Sequence, residues 1–125
     1  MNVVDSSAWL EYFADGPNAA AFAPAIEQPE ALVVPSLTLF EVTKRVLQQA
    51  DEAAALRAVT AMQQGQVVDL DANLAIEGAR LSVAMGLPLA DSVILATARA
   101  CGAVLWTQDR DFEGLEKVEY RQRIR

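Results

Sequence analysis

The sequence predicts an α/β protein whose parallel sheet is covered by helices on both faces. Short β-branched or apolar segments alternate along the chain with longer stretches of helical periodicity. Serine, aspartate, proline and glycine mark the ends of many of these stretches. Short buried strands that alternate with helices are typical of a parallel sheet with both faces covered.

Five strands are predicted, and the last is the weakest: they cover residues 2–4, 31–34, 66–69, 103–107 and 117–120. The predicted helices cover residues 6–13, 36–50, 51–64, 71–85 and 90–100, and the second and third form a hairpin. Residues 17–30 contain three prolines, and Pro24 would interrupt a helix. We therefore expect a short, broken helical segment on the surface there.

Length and composition predict one domain, residues 1–125, with a hydrophobic fraction of 53% that is sufficient for a core. No apolar run approaches the roughly 18 residues that span a bilayer. The early Asp5 argues against a signal peptide. We therefore expect a cytoplasmic protein with no membrane association.

The absence of histidine narrows the possible chemistry. It excludes histidine bases, Ser-His-Asp and Cys-His nucleophile systems, and histidine metal sites. The single cysteine, Cys101, cannot form an internal disulfide or a thiolate zinc cluster, and its apolar helical context favours packing. An enzyme with this composition must work with carboxylates, hydroxyls, lysine and arginine.

A net charge of −7 argues against nucleic-acid binding, which needs basic surface. Two features weaken this argument. Six of the ten basic residues lie in the last 27 positions. A carboxylate cluster would also bind divalent cations, which reverse the local sign of the field.

Four acids follow strands or begin helices at the same predicted edge of the sheet: Asp5, Glu41, Asp91 and Asp109. The carboxyl ends of parallel strands form the functional crevice of open α/β sheets. Carboxylates that converge without basic partners are tolerated when some take up protons or when a cation lies between them.

Each acid also has a purely structural interpretation. Asp5 can be a helix N-cap, Asp91 a first-turn acid that the helix dipole favours, and Asp109 a turn residue. Glu41 can close a capping box with Thr38, or it can pair with Lys44 or Arg45. Taken singly, these interpretations are favoured; they leave the convergence unexplained.

The stretch LWTQDRDFEG, residues 105–114, carries two aspartates after a strand. Strand alternation puts Thr107 and Asp109 on one side if the extended geometry persists. Asp111 has the same parity, but we expect a turn to redirect it. If this edge of the sheet holds a metal, we therefore predict that Asp109 is the metal-site acid and that Asp111 is an outer or structural residue. We also expect Phe112 to anchor the turn in the core.

The stretches VVDSSAWLEYF (3–13), PSLTLFEVTKRV (35–46) and LPLADSVILATARACGAVLWTQDRDF (87–112) resemble, in order and spacing, the PIN-domain family, specifically the VapC-type toxin ribonucleases. The resemblance implies a three-layer α/β/α sandwich with a parallel sheet of four to five strands. It implies a Mg²⁺ or Mn²⁺ site at Asp5, Glu41, Asp91 and Asp109, supported by the hydroxyls of Ser6 and Thr107. It also implies cleavage of RNA, a homodimer and a cognate antitoxin.

Two other functions remain open on the sequence. A phospho-acceptor receiver domain has a similar length and an acidic Mg²⁺ pocket, and Asp69 would be its acceptor. It also requires a second acid beside Asp5, where Ser6 stands, and a lysine that ends the fifth strand. A PIN-like module without catalytic activity is the second alternative, although all four acid positions are filled.

Overall fold

The computed structural model describes residues 1–124 and contains five strands and six α-helices within that range. The strands are β1 (Asn2–Val4), β2 (Leu32–Pro35), β3 (Gln66–Val68), β4 (Val104–Thr107) and β5 (Val118–Tyr120). The helices are α1 (Ser6–Phe13), α2 (Ala19–Ile26), α3 (Ser36–Gln49), α4 (Glu52–Met62), α5 (Ala72–Met85) and α6 (Leu89–Ala100). All five predicted strands and all five predicted helices are present.

The strands form one sheet in the order β3-β2-β1-β4-β5, and every neighbouring pair is parallel. The central strand β1 lies between β2 and β4, with Val4 opposite Trp106. Because all strands point the same way, their carboxyl ends lie at one edge. The segments that follow β1, β2 and β4 therefore meet there.

Two apolar layers cover the two faces of the sheet, as strand alternation requires. Val4 packs on one face with Trp9 of α1 and Phe22 of α2. Val3 packs on the other face with Ile94 of α6 and with the fully buried Phe112. This arrangement confirms the three-layer α/β/α sandwich and the predicted anchoring of Phe112.

The prediction for residues 17–30 is confirmed in that a short helix lies there, but it is wrong in that the helix is neither broken nor confined to the surface. Ala19–Ile26 is a helix with Pro24 inside it, and Phe22, Ala25 and Ile26 are buried in the core. Proline removes the N–H that would bond to the carbonyl four residues earlier. That carbonyl belongs to Ala20, and both Ala20 and Pro24 are exposed, so the loss falls on the solvent side.

Among residues 1–124, no single helix is long and apolar enough to cross a membrane. Helices α5 and α6 meet the length and composition criteria only as a pair, and that pair is bent by 115°.

Candidate active site

A cleft of about 550 Å³ opens at the carboxyl edge of the sheet, and all four acids selected from the sequence line it. Asp5 follows β1, Glu41 lies in α3, Asp91 lies in the first turn of α6, and Asp109 follows β4. The remaining lining residues are Ser6, Ser7, Leu10, Phe40, Lys44, Arg45, Gln48, Ile94 and Arg123. Segments distant in sequence thus bring their acids to one cavity.

Asp5 is a helix N-cap and a member of the cleft at the same time. Its Oδ1 accepts hydrogen bonds from the backbone N–H of Ala8 (3.0 Å) and from the hydroxyl of Ser7 (2.7 Å). Its Oδ2 accepts a hydrogen bond from Thr107 Oγ1 (2.8 Å). Burial raises the pKa of Asp5 to about 6; these hydrogen bonds oppose the rise, and the charge of Asp109 adds to it.

Thr107 links the ends of β1 and β4. Its hydroxyl donates to Asp5 and accepts a hydrogen bond from the backbone N–H of Asp109 (2.9 Å). Asp109 remains extended (φ −86°, ψ 123°), and its carboxylate caps the 3₁₀ turn Arg110–Phe112 by accepting the N–H of Asp111 (2.9 Å). The turn interpretation of Asp109 and its place in the cleft therefore both hold.

Asp91, Asp109 and Asp111 form a close acidic group. One carboxylate oxygen from each lies within 4.8 Å of the others. The pKa of Asp91 rises to about 8 because of burial, a hydrogen bond shared with Asp111, and the negative charges of Asp109, Asp111 and Asp5. The 3₁₀ turn thus returns Asp111 toward the other acids, closer than the sequence analysis expected. The group could bind a metal ion, since hard divalent cations prefer such oxygen ligands.

Glu41 accepts a hydrogen bond of 2.6 Å from Ser6 Oγ. The two side chains of the expected capping box bond elsewhere: the Thr38 hydroxyl donates to the carbonyl oxygen of Pro35 (2.6 Å), and the Glu41 carboxylate accepts from Ser6. Within residues 1–124, no carboxylate–cation distance of 4.0 Å or less joins Glu41 to Lys44 or Arg45. The structural alternatives for Glu41 therefore do not describe its contacts.

Three polar residues that the sequence analysis did not select also support the site. Ser7 Oγ, besides donating to Asp5, accepts the backbone N–H of Gln108 (3.3 Å). The buried Asn18 donates from Nδ2 to Gln108 Oε1 (3.1 Å) and to the carbonyl of Gln122 (2.9 Å). The second hydroxyl in Asp-Ser-Ser was a local signal for Ser7. Asn18 and Gln108 are 90 residues apart, and no local pattern joins them.

Comparison with family models and solved structures gives consistent results. The model described as PIN domain matches residues 3–118, whereas no curated protein matches the chain. A toxin–antitoxin complex from Klebsiella pneumoniae superposes with a TM-score of 0.82 at 22% identity, over 95% of this chain and 96% of that one.

Two further solved structures have the same fold. VapC20 of Mycobacterium tuberculosis, described as a Sarcin-Ricin loop cleaving toxin, has a TM-score of 0.78 at 19% identity, over 94% of this chain and 98% of its own. A Pyrobaculum aerophilum protein has a TM-score of 0.74 at 28% identity, over 95% of this chain and 87% of its own.

Proposed function

The chain belongs to the PIN domain family, and we propose that residues 1–125 form one such domain with Mg²⁺- or Mn²⁺-dependent endoribonuclease activity. The observation that carries the proposal is the cleft in which Asp5, Glu41, Asp91 and Asp109 meet. The raised pKa values of Asp5 and Asp91 show the repulsion and desolvation that a bound cation would relieve.

The donor set fits a hard divalent ion, because every candidate ligand is a carboxylate oxygen and the chain has no histidine. Asp5, Asp91 and Asp109 would hold the ion directly or through water. When bound, such an ion acidifies water and neutralises charge that develops on the phosphate oxygens.

The remaining groups position the reactants. Glu41, fixed by Ser6, would orient the attacking water or contribute to the ion's coordination. Thr107 holds Asp5 and the backbone of Asp109 in place. Attack of water on phosphorus with departure of the 3′ oxygen leaves a 5′-phosphate and a 3′-hydroxyl.

The partners follow from the same premise. We propose that the substrate is single-stranded or looped RNA, that the protein acts in the cytoplasm as a homodimeric toxin, and that a cognate antitoxin blocks the cleft. The toxin–antitoxin complex from Klebsiella pneumoniae, which has this fold, supports the proposal of an antitoxin partner.

RNA cleavage with and without divalent ions tests the activity. We expect Mg²⁺ or Mn²⁺ to support cleavage and EDTA to abolish it. Asp91→Asn should remove cleavage without unfolding the protein, whereas Asp69→Asn, the same change at an exposed acid outside the cleft, should not. Cleavage by Asp91→Asn at the parent rate would show that the mechanism is wrong.

Asp109 and Asp111 can be separated by the same kind of substitution. We expect Asp109→Asn to lower the affinity for Mn²⁺ more than Asp111→Asn does, because Asp109 lines the cleft and Asp111 is exposed. Isothermal titration of Mn²⁺ measures both affinities. Equal losses would mean that both carboxylates serve the ion and that the predicted division between them is wrong.

The two alternatives predict different results. Asp69 is exposed beyond the edge strand β3 and is not among the residues that line the acidic cleft, which disfavours the receiver function. Lasting acetyl-phosphate labelling of Asp69 would favour it. A PIN-like interaction module would bind partners but cleave no RNA with any divalent ion.

A further inference from the structure

The acidic cleft has a second wall, which is basic and aromatic. Phe40, Lys44 and Arg45 of α3 line it together with Arg123 from the segment after β5. We call these four residues the α3 rim. All four are exposed, and Phe40 leaves 61% of its surface accessible. The proposed function assigns no role to any of them.

The rim lies beside the acids because of helix geometry. Lys44 and Arg45 follow Glu41 by three and four positions, so they share its face and lie about one turn, roughly 5 Å, farther along α3. Lys44 Nζ lies 5.9 Å from the centre of the Phe40 ring. A ligand that reaches Glu41 from this side therefore passes an aromatic ring and two cations.

Arg123 is brought to the rim by contacts across the sheet edge. The backbone N–H of Arg121 donates to the carbonyl of Thr107 (2.9 Å). The carbonyl of Gln122 accepts from the buried Asn18 side chain (2.9 Å). These two hydrogen bonds hold the segment immediately before Arg123 against the end of β4, close to the cleft.

The charge of the rim is unusual for this chain. The protein carries −7 overall, yet three of its ten basic residues line one cleft. Within the part of the chain that the structure describes, none of the three lies within 4.0 Å of a carboxylate. Cations beside acids with which they form no close pair remain available to an anionic ligand that spans the cleft.

We propose that the α3 rim binds single-stranded RNA, with Lys44, Arg45 and Arg123 on phosphates next to the cleaved one and Phe40 stacked on a base. This inference rests on the proposed function, since it places the cleaved phosphate at the acids. Aromatic rings combined with a basic groove are how proteins hold single strands, because every base offers a flat face to stack.

The test measures how binding depends on salt, which does not require cleavage. A fluorescent oligoribonucleotide is titrated in EDTA between 50 and 200 mM NaCl, and a gel checks that the RNA stays intact. The binding constant K falls as salt rises, and each lost phosphate contact makes the negative slope of log K against log salt shallower by about 0.7 for single strands. Because Lys44→Gln/Arg45→Gln removes two such contacts, we expect this variant to make the slope shallower by about 1.4.

The matched control is Arg57→Gln/Arg99→Gln, which removes the same charge from exposed positions outside the cleft. It should leave the slope unchanged. An equal loss of slope in both double variants would overturn the assignment, because general charge would then explain the binding. No loss in the Lys44→Gln/Arg45→Gln variant would also overturn it, because these cations would then contact no phosphate.

Phe40→Ala tests the stacking contact. It should weaken binding of the single strand about tenfold with no change in slope. Leu47→Ala, which removes an exposed apolar side chain from the same helix outside the acidic cleft, should have no effect. Equal affinity of the parent and Phe40→Ala for the single strand would show that Phe40 does not stack on a base.

The result also separates this inference from the proposed activity. If the parent cleaves RNA with a divalent ion but the rim variants keep the parent slope, the rim assignment is wrong and the nuclease stands. If the slope depends on the rim but no divalent ion supports cleavage, the proposal of nuclease activity is wrong and the proposal of an RNA-binding rim is retained.

Discussion

Without divalent ions, the stability of this protein should fall as the pH rises from 6 to 8. Asp91 has a pKa of about 8 in the folded chain, against an ordinary value of 3.8. Between these values the folded state binds a proton that the unfolded state releases, so raising the pH favours unfolding. The chain has no histidine, so no imidazole contributes to the change in this window.

The size of the effect follows from the burial of each acid. One group that is protonated only in the folded state changes the free energy of unfolding by at most about 1.4 kcal/mol per pH unit. Because Asp91 is only half-buried, solvent screening reduces this, and we expect a loss of about 1 kcal/mol between pH 6 and 8. The fully buried Asp5, with a pKa of about 6, contributes about 3 kcal/mol of loss, mainly between pH 4 and 6.

Urea unfolding in EDTA at pH 6, 7 and 8 and constant ionic strength measures the effect. Asp91→Asn cannot ionise, so its stability should be nearly constant over this window, whereas Asp69→Asn should behave like the parent. Saturating Mn²⁺ should weaken or reverse the trend, because it favours the ionised carboxylates. Constant or rising stability of the parent in EDTA would refute the reasoning, as would an unchanged decline in Asp91→Asn.

Two further substitutions test the supports of the site and the core. Thr107→Val removes a donor to Asp5 and should lower the free energy of unfolding by about 1–3 kcal/mol, more at pH 8 than at pH 5 because the charged carboxylate depends on that donor. Thr97→Val removes a buried hydroxyl within α6 and is the control. In urea unfolding it should show no such pH dependence. Phe22→Ala should lower the free energy of unfolding by about 3–5 kcal/mol, because the Phe22 ring is fully buried under the sheet. Phe40→Ala on the exposed rim should lower it by less than about 0.5 kcal/mol. Equal losses would contradict the placement of α2 in the core.

Local patterns were sufficient to predict the strands of the sheet and the place of each of the four acids relative to the strands and helices. A strand and the residue that follows it are contiguous, so Val3, Val4 and Asp5 predict both a buried strand and an acid at its carboxyl end. The parallel arrangement then brings such ends together whatever the strand order. That is why convergence could be predicted although the order β3-β2-β1-β4-β5 was not.

Packing against the sheet determines the structure of α2, which the sequence analysis did not predict correctly. Pro24 argues against a helix wherever the lost hydrogen bond would be buried. In α2 the loss lies on the exposed face, and Phe22 and Ile26 gain burial on the other. The residues that flank a proline in sequence do not show which face it will occupy. Tertiary contacts made that choice here.

The position of Asp111 shows the same limit within the site. Alternation places Thr107 and Asp109 correctly because the chain stays extended through both residues. Beyond Asp109, the carboxylate of that residue caps a 3₁₀ turn that depends on burying Phe112. The turn brings the carboxylate of Asp111 within 4.8 Å of those of Asp91 and Asp109. Whether two or three carboxylates could hold an ion therefore depends on a core contact, which strand parity alone cannot reveal.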